Sequence, residues 1–577
     1  MGSNQGFRSM DVSSSISIAV IGSGGAGALT TGNFLLEAAS SAGWHGLSTR
    51  TLGPQIRGGE AAALLRLADH PVECLPDTFD LLIGIDWLNA HRFGAEIQAG
   101  PQTLVISDPD GGEPPPAMSQ AGARVVEIPL KELAKSIPDG RPNMIALGIA
   151  ARLLGFTVDQ MVAPVEKNLA DKGAAAITAS RHGIQTGYEA AAGLKLGKKL
   201  APPTPSTAKR WLLSGNEATG LGAIRGGVRF AAAYPITPAT EVLEWLAPAL
   251  TKVGGALLQA EDELAAINMI IGASFGGMPS LTATSGPGLS LMIEALGLAT
   301  SAEIPIVVVD VMRGGPSTGI PTKSEQGDLN VAIYGLHGDA PHLVLAPQTV
   351  TDCLFTTQWA TYLAEAMQCP AIVLSDQFIG QARAAVERPA DVSFIGQRSV
   401  ATDISGTYKR YALTANGVSP MALPGTPGGQ YTADGLTHTE RGTPTSGAEV
   451  HAAQLDKRRD KIEDFNYGDH WATVEGDGET AVLTWGSLTG AAREAIGGDK
   501  SMRLVAPRLL SPVQPARLAH ALDGVKRILV VEQTHGGQFH KYLRAHYDLP
   551  APVETFNRPG PLPITAGEIG RALKEWR

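Results

Sequence analysis

The chain of 577 residues is poor in cysteine and in long apolar runs, and each shortage excludes a class of protein. Cys74, Cys353 and Cys369 are its only cysteines and are widely separated, which excludes a disulfide framework and a four-thiolate cluster built within the chain. A reducing cytoplasm is the expected setting. No run of 18 apolar residues occurs, so no membrane span is expected. The opening MGSNQGFRSMDVSSS has no apolar core of signal-peptide length, and position 6 lacks the Ser or Thr that myristoylation of Gly2 needs. Positive charge is also short: 46 Lys and Arg face 56 Asp and Glu, a net charge of −10, with no basic block. A nucleic acid partner, which needs several phosphates neutralised, is not expected. Glycine and proline are abundant instead, at 68 and 39 residues, as in an α/β protein with many tight turns. At roughly 150 residues per domain the length predicts three to four domains.

From Ile16 the pattern reads strand (ISIAVIG), glycine-rich turn, then helix from about Ala28 to Ala42. Strands at Phe79 to Ile85 and Gln102 to Ser107 and a helix at Pro142 to Leu154 extend an α/β domain over residues 1–197. KKLAPPTPSTAKR, within residues 198–210, reads as a stiff linker. A second α/β block, residues 211–390, starts at WLLSGNEA and alternates strand and helix, which predicts a parallel doubly wound sheet with chemistry at the carboxyl ends of its strands. Residues 391–475 lack periodicity and read as a long irregular excursion, with another subunit as a candidate packing partner. A third, smaller α/β pattern (TAVLTWGS, SMRLVAPR, RILVVEQT) covers residues 476–577.

Four motifs bear on chemistry. Gly22 to Gly27 satisfies G-x-G-x-x-G between strand and helix, where amides and the helix dipole can hold a pyrophosphate. The next strand candidate, GLSTRTLG, ends without the acid that meets the ribose of NAD, so a tight turn or another phosphate-bearing ligand is favoured. Gly272 to Gly276 matches G-x-S-x-G, but the preceding ELAAINMII reads as helix, which makes Ser274 a packing residue rather than a nucleophile. Gly476-Asp477-Gly478 matches the start of a thiamine diphosphate and magnesium loop, yet no Asn lies between Asn466 and Asn557 to complete it. The fourth is the helix opening at Glu261-Asp262-Glu263. Ile267, Ile270 and Ile271 follow Glu263 at i+4, i+7 and i+8, so its carboxylate shares the apolar face, whereas Glu261 and Asp262 can serve as cap and dipole partners. Spacing leaves open whether Glu263 is a buried functional acid or a first-turn acid.

The strings AAYPITPATE, QAEDELAAINMIIGASFGG, TATSGPGLSLM, VMRGGPSTGIPTKSEQGD and GLTHTERGTP, in this order, resemble the α subunit of 2-oxoacid:ferredoxin oxidoreductases. The nearest likeness is to the 2-oxoglutarate enzymes whose γ domain, here GSGGAG and LGPQIRGGE, is fused ahead of α. LSPVQPARLAHAL and ILVVEQTHGGQ resemble the family's closing domain. The resemblance implies three α/β domains, including a thiamine-diphosphate pyrimidine-binding-type doubly wound domain and a transketolase C-terminal-like domain. It implies an enzyme that interconverts a 2-oxoacid and coenzyme A with acyl-CoA, carbon dioxide and reduced ferredoxin. It also implies a β subunit that carries the thiamine diphosphate–Mg loop and a 4Fe-4S cluster, in an α2β2 assembly. Glu263 matches the glutamate that meets the aminopyrimidine of the cofactor. Thr237 and Arg313 match positions that bind the substrate 1-carboxylate, and Thr322 matches one nearer the distal group. Ser285 and Gly286 match the turn approaching the pyrimidine. A broad-specificity 2-oxoacid or pyruvate enzyme and an NAD-binding α/β protein are the alternatives.

Overall fold

A computed structural model describes residues 11–53, 59–203 and 210–576; residues 54–58, within LGPQIRGGE, and 204–209, within the proline-rich linker, lie outside it. The chain divides into two compact units, one made of Met1–Leu213 with Ala382–Ala390, the other of Ser214–Gln381 with Asp391–Arg577.

The first unit is built on an eight-stranded mixed sheet in the order Arg124–Glu127, Ala99–Ser107, Phe79–Gly84, Ser15–Ser23, Glu60–Ala68, His45–Leu52, Arg383–Val386, Trp211–Ser214. Ser15–Ser23 enters the glycine turn and the helix Ala28–Ser41, as its pattern predicts. Gly27 caps that helix at φ 84, and a Cβ there would fall 2.5 Å from Asn143, so the turn requires glycine whether or not it holds a ligand. His45–Leu52 is separated from Ser15–Ser23 by the antiparallel strand Glu60–Ala68, so the two are not the adjacent parallel pair of a dinucleotide fold. Trp211–Ser214, read from sequence as the start of the next block, pairs at the edge of this sheet. A four-residue apolar strand does not encode which sheet it will join.

The second unit has two sheets. The larger runs Ala256–Gln259, Phe230–Ala233, Ser280–Thr284, Ile306–Met312, Pro370–Asp376, Leu343–Leu345, Leu509–Ser511. Only Leu509–Ser511 is antiparallel. Ile306–Met312 and Pro370–Asp376 are buried at every residue, as expected of parallel strands covered on both faces. The smaller sheet sets Met502–Pro507, Thr480–Leu483, Arg527–Glu532 and Val553–Asn557 in parallel, with Ala472–Glu475 antiparallel at one edge. Gly476 to Gly478 forms the turn after that edge strand, and the Asp477 carbonyl accepts from Arg503.

Residues 391–475 pack on their own unit and contain a helix, Ala448–Glu463. Charges hold them there. Arg398 forks onto the Glu365 carboxylate at 2.7 Å through Nε and Nη2 and also contacts Ser274, whose hydroxyl donates to the Pro305 carbonyl. Ser274 is thus a buried packing residue inside the helix Glu263–Phe275. Deeper still, Lys457 and Lys461 donate to the two oxygens of Glu303 at 2.6 and 2.8 Å. Burial alone would raise the Glu303 carboxyl, but Lys461, Lys457 and Arg410 outweigh it and hold it well below the usual carboxylate range. Its stabilisation is therefore present above the ordinary carboxylate pKa and lost only as pH falls through the depressed value. Replacing Glu303 by Ala would leave two buried ammonium groups unpaired and should cost about 3–5 kcal/mol. Denaturant unfolding of the whole chain checks this, and a loss below about 1 kcal/mol would show that water or a neighbour compensates the lysines.

Candidate active site

Phe230–Ala233, Ser280–Thr284 and Ile306–Met312 are parallel neighbours, so the segments that follow them leave the sheet along one edge. Thr237, Ser285 with Gly286, and Arg313 belong to those segments, and topology alone gathers them. Glu263 arrives from a helix. Asp262 caps Glu263–Phe275 by accepting the Ala265 N–H at 2.7 Å, which fixes the helix start and sets Glu263 in its first turn. Ile267, Ile270 and Ile271 bury the face below it, and Glu263 is only 7 % exposed while Glu261 and Asp262 are exposed. No side chain or backbone group among the described residues hydrogen-bonds its carboxylate.

The helix Gly286–Ser301 closes against this acid. A Cβ on Gly288 would fall 2.0 Å from Thr284 Oγ1 and 2.7 Å from Glu263 Cγ, so this glycine permits the approach. Ser285, at the N-cap, is fully buried and its Oγ has no hydrogen-bond partner. A buried carboxylate and a buried hydroxyl, both lacking hydrogen-bond partners among the described residues, form a polar recess that a cofactor with ring nitrogens and an amino group would satisfy.

Arg313 follows the central strand directly and is 7 % exposed. Its Nη1 donates to the Thr237 carbonyl at 2.5 Å and its Nε has no partner. Thr237 is thus brought to Arg313, but by its main chain; the residue itself is exposed. Thr322 lies half-buried further along the same loop and bonds to none of the other site residues. Two acids that pattern reading passed over complete the arrangement. Asp310 interrupts the apolar strand Ile306–Met312 and is fully buried, and a Cβ on Gly286 would lie 2.6 Å from Asp328 Oδ2. A single charge inside IPIVVVDVM is the signal that marks the first of them.

The loop from Arg313 to Asp328 is tied to the smaller sheet. Gln326 Nε2 donates to the Trp485 carbonyl at 2.8 Å, and Gln533 donates from its N–H to Gln326 Oε1 and from Nε2 to the Ser324 carbonyl, both at 2.9 Å. Among the described residues, no group of three or more His, Cys, Asp or Glu side chains could hold a metal ion.

Residues 221–457 match the family described as pyruvate flavodoxin/ferredoxin oxidoreductase, thiamine diphosphate-binding, and residues 17–190 match pyruvate ferredoxin/flavodoxin oxidoreductase. The 2-oxoglutarate synthase subunit KorA of Methanothermobacter marburgensis is 36% identical over 372 residues, 63% of this chain and 96% of that protein. The α subunit of 2-oxoacid:ferredoxin oxidoreductase 2 from Aeropyrum pernix is 28% identical over 632 residues, 97% of each chain. Among solved structures, 2-oxoglutarate:ferredoxin oxidoreductase from Magnetococcus marinus, with 2-oxoglutarate, coenzyme A and succinyl-CoA bound, is 36% identical with a TM-score of 0.91, over 98% of this chain and 99% of that one. The order of strands, the inward glutamate and these likenesses agree: the chain belongs to the 2-oxoacid:ferredoxin oxidoreductases, as an α subunit of these thiamine-diphosphate-dependent enzymes.

Proposed function

We propose that the chain is the α subunit of a 2-oxoglutarate:ferredoxin oxidoreductase and supplies half of its active site. The observation that carries this reading is the inward, hydrogen-bond-free carboxylate of Glu263 sharing one sheet edge with the buried guanidinium of Arg313. The choice of 2-oxoglutarate is supported by the names of the relatives at 36% identity, and coenzyme A by its presence in the Magnetococcus marinus structure.

Thiamine diphosphate, when bound, supplies the nucleophilic carbon that adds to the 2-oxo group and the electron sink for decarboxylation. Glu263 would share a proton with the aminopyrimidine ring nitrogen, a role that suits a buried carboxylate with no competing donor among the described residues. Ser285 Oγ and the Gly286 backbone line the pyrimidine side. Arg313 holds the substrate 1-carboxylate with its uncommitted N–H groups, the Thr237 carbonyl fixing the guanidinium from behind. Thr322 faces the distal part of the substrate.

The β partner would carry the diphosphate–Mg loop and the 4Fe-4S cluster that pass electrons to ferredoxin, in an α2β2 assembly. Support comes from the surface beside the site. The helix that bears Glu263 leaves Leu264 50 % and Met269 37 % exposed, and the neighbouring edge strand exposes Leu258. An apolar helix with an uncovered apolar flank is suited to burial by another chain. The sequence match over residues 17–190 supports a γ-type domain fused ahead of α.

Three outcomes test the reading on the complex coexpressed with its partner. Glu263→Gln should lower thiamine-dependent turnover by about 10²- to 10⁴-fold with assembly intact; retention of more than about a tenth of the activity would make Glu263 a helix-end acid only. Arg313→Ala should weaken 2-oxoglutarate and pyruvate alike, by on the order of 10- to 100-fold in KM, whereas Thr322→Ala should change the ratio between them. Equal effects of Thr322→Ala on both substrates would remove Thr322 from the specificity site. Leu264→Lys with Met269→Lys should abolish copurification with the partner while this chain still unfolds cooperatively, and a stable complex of that variant would move the interface elsewhere.

A further inference from the structure

Asp310 and Asp328 have no task in the scheme above, yet they are the least comfortable groups near it. Asp310 is fully buried in the central strand, and neither of its carboxylate oxygens accepts a hydrogen bond from an N–H or hydroxyl group; Asp328 Oδ2 is likewise buried without a donor. An ionised carboxylate left bare in a protein interior is strongly unfavourable, and proteins avoid this by protonation or pairing. The charged groups that face these two acids are each other, Arg313 and Glu325, with His535 beside Glu325. Two adjacent carboxyls beside one guanidinium are neutral when they hold one proton between them: Asp310 donates, Asp328 accepts, and the remaining negative charge balances Arg313. Geometry favours that assignment. The Asp328 carboxylate lies against Gly286, the first residue of a 16-residue helix whose amino end favours an anion, whereas Asp310 sits fully buried inside a strand where nothing donates to it.

We propose that Asp310 and Asp328 are positioning residues for Arg313: a proton-sharing pair that holds the guanidinium in place and takes up a second proton from solvent when a substrate carboxylate docks on it. This rests on the assignment of Arg313 to the substrate carboxylate. Docking adds one negative charge to a neutral buried cluster, and protonating the pair restores neutrality at lower cost than leaving two anions around one cation. The titration properties of the pair agree. Burial and then the neighbouring Asp328 push the Asp310 carboxyl far up, and burial is the main cause that pushes Asp328 up to about 6. An added anion raises both further. Because the bound state then has the higher pKa, affinity for the carboxylate is greatest below the free-state value and falls as pH rises from about 6 toward the bound-state value.

The test uses the assembled enzyme and N-oxalylglycine, a 2-oxoglutarate analogue that cannot be decarboxylated. Calorimetric titration at pH 7 in buffers of different ionisation enthalpy counts the protons taken up on binding. Wild type should take up on the order of half a proton to one proton, and its Kd should be about three- to tenfold weaker at pH 8 than at pH 6. Asp310→Asn with Asp328→Asn, which preserves both shapes, should bind the analogue with no proton uptake and a flat pH profile. Absence of uptake in the wild type overturns the proposal without any variant, and so does uptake that persists in the double variant. Arg313→Ala separates the two layers of the argument: if it leaves analogue binding unchanged, the assignment of Arg313 fails; if it weakens binding while wild type shows no uptake, only the pair fails.

Discussion

Everything at this site depends on one constraint, the burial of a parallel strand on both faces up to the residue where it ends. Ile306–Met312 has neighbours on either side and helices above and below, so it excludes water along its whole length and releases the chain only at Arg313. A cation at that point cannot be solvated as a surface arginine is. Its surroundings supply one acceptor, the Thr237 main-chain carbonyl from the segment after Phe230–Ala233, and two carboxyls, Asp310 and Asp328, that act on it through charge rather than through hydrogen bonds. The same burial leaves the guanidinium only partly satisfied by the protein, which suits it to the carboxylate role proposed for it.

The large features were legible in the sequence because they rest on period and order. Strand and helix alternation predicts the parallel sheet, and the spacing of Ile267, Ile270 and Ile271 places the Glu263 carboxylate on the apolar face, where the structure buries it. Family strings then attached names to positions. What escaped was set by contacts distant in sequence. The partner sheet of Trp211–Ser214 depends on Arg383–Val386, some 170 residues later. Asp328 was passed over because SEQGD looks like an ordinary polar loop, and only its closeness to Gly286 and Asp310 gives it a role. The helix within residues 391–475 was missed for another reason. Apart from Ile462, it buries Gln454, Lys457, Arg458 and Lys461, so it carries no apolar period to detect.

Two strategies for burying charge coexist in the second unit. Around Glu303 the pairing is complete: two ammonium groups meet two carboxylate oxygens, and the result is a fixed clamp holding the excursion to the domain. Around Arg313 it is incomplete, with a free Nε and carboxyl oxygens that lack donors. Full satisfaction gives rigidity; partial satisfaction leaves capacity for a ligand.

The glutamine ties between the Arg313–Asp328 loop and the smaller sheet have a mechanical consequence. A segment anchored at Ser324 and Gln326 by three amide contacts is splinted against the smaller sheet over that stretch. Opening it would break a row of buried hydrogen bonds at once. The loop that carries Arg313 is therefore held in its place by the smaller sheet of the same unit, which makes that sheet part of what positions the guanidinium.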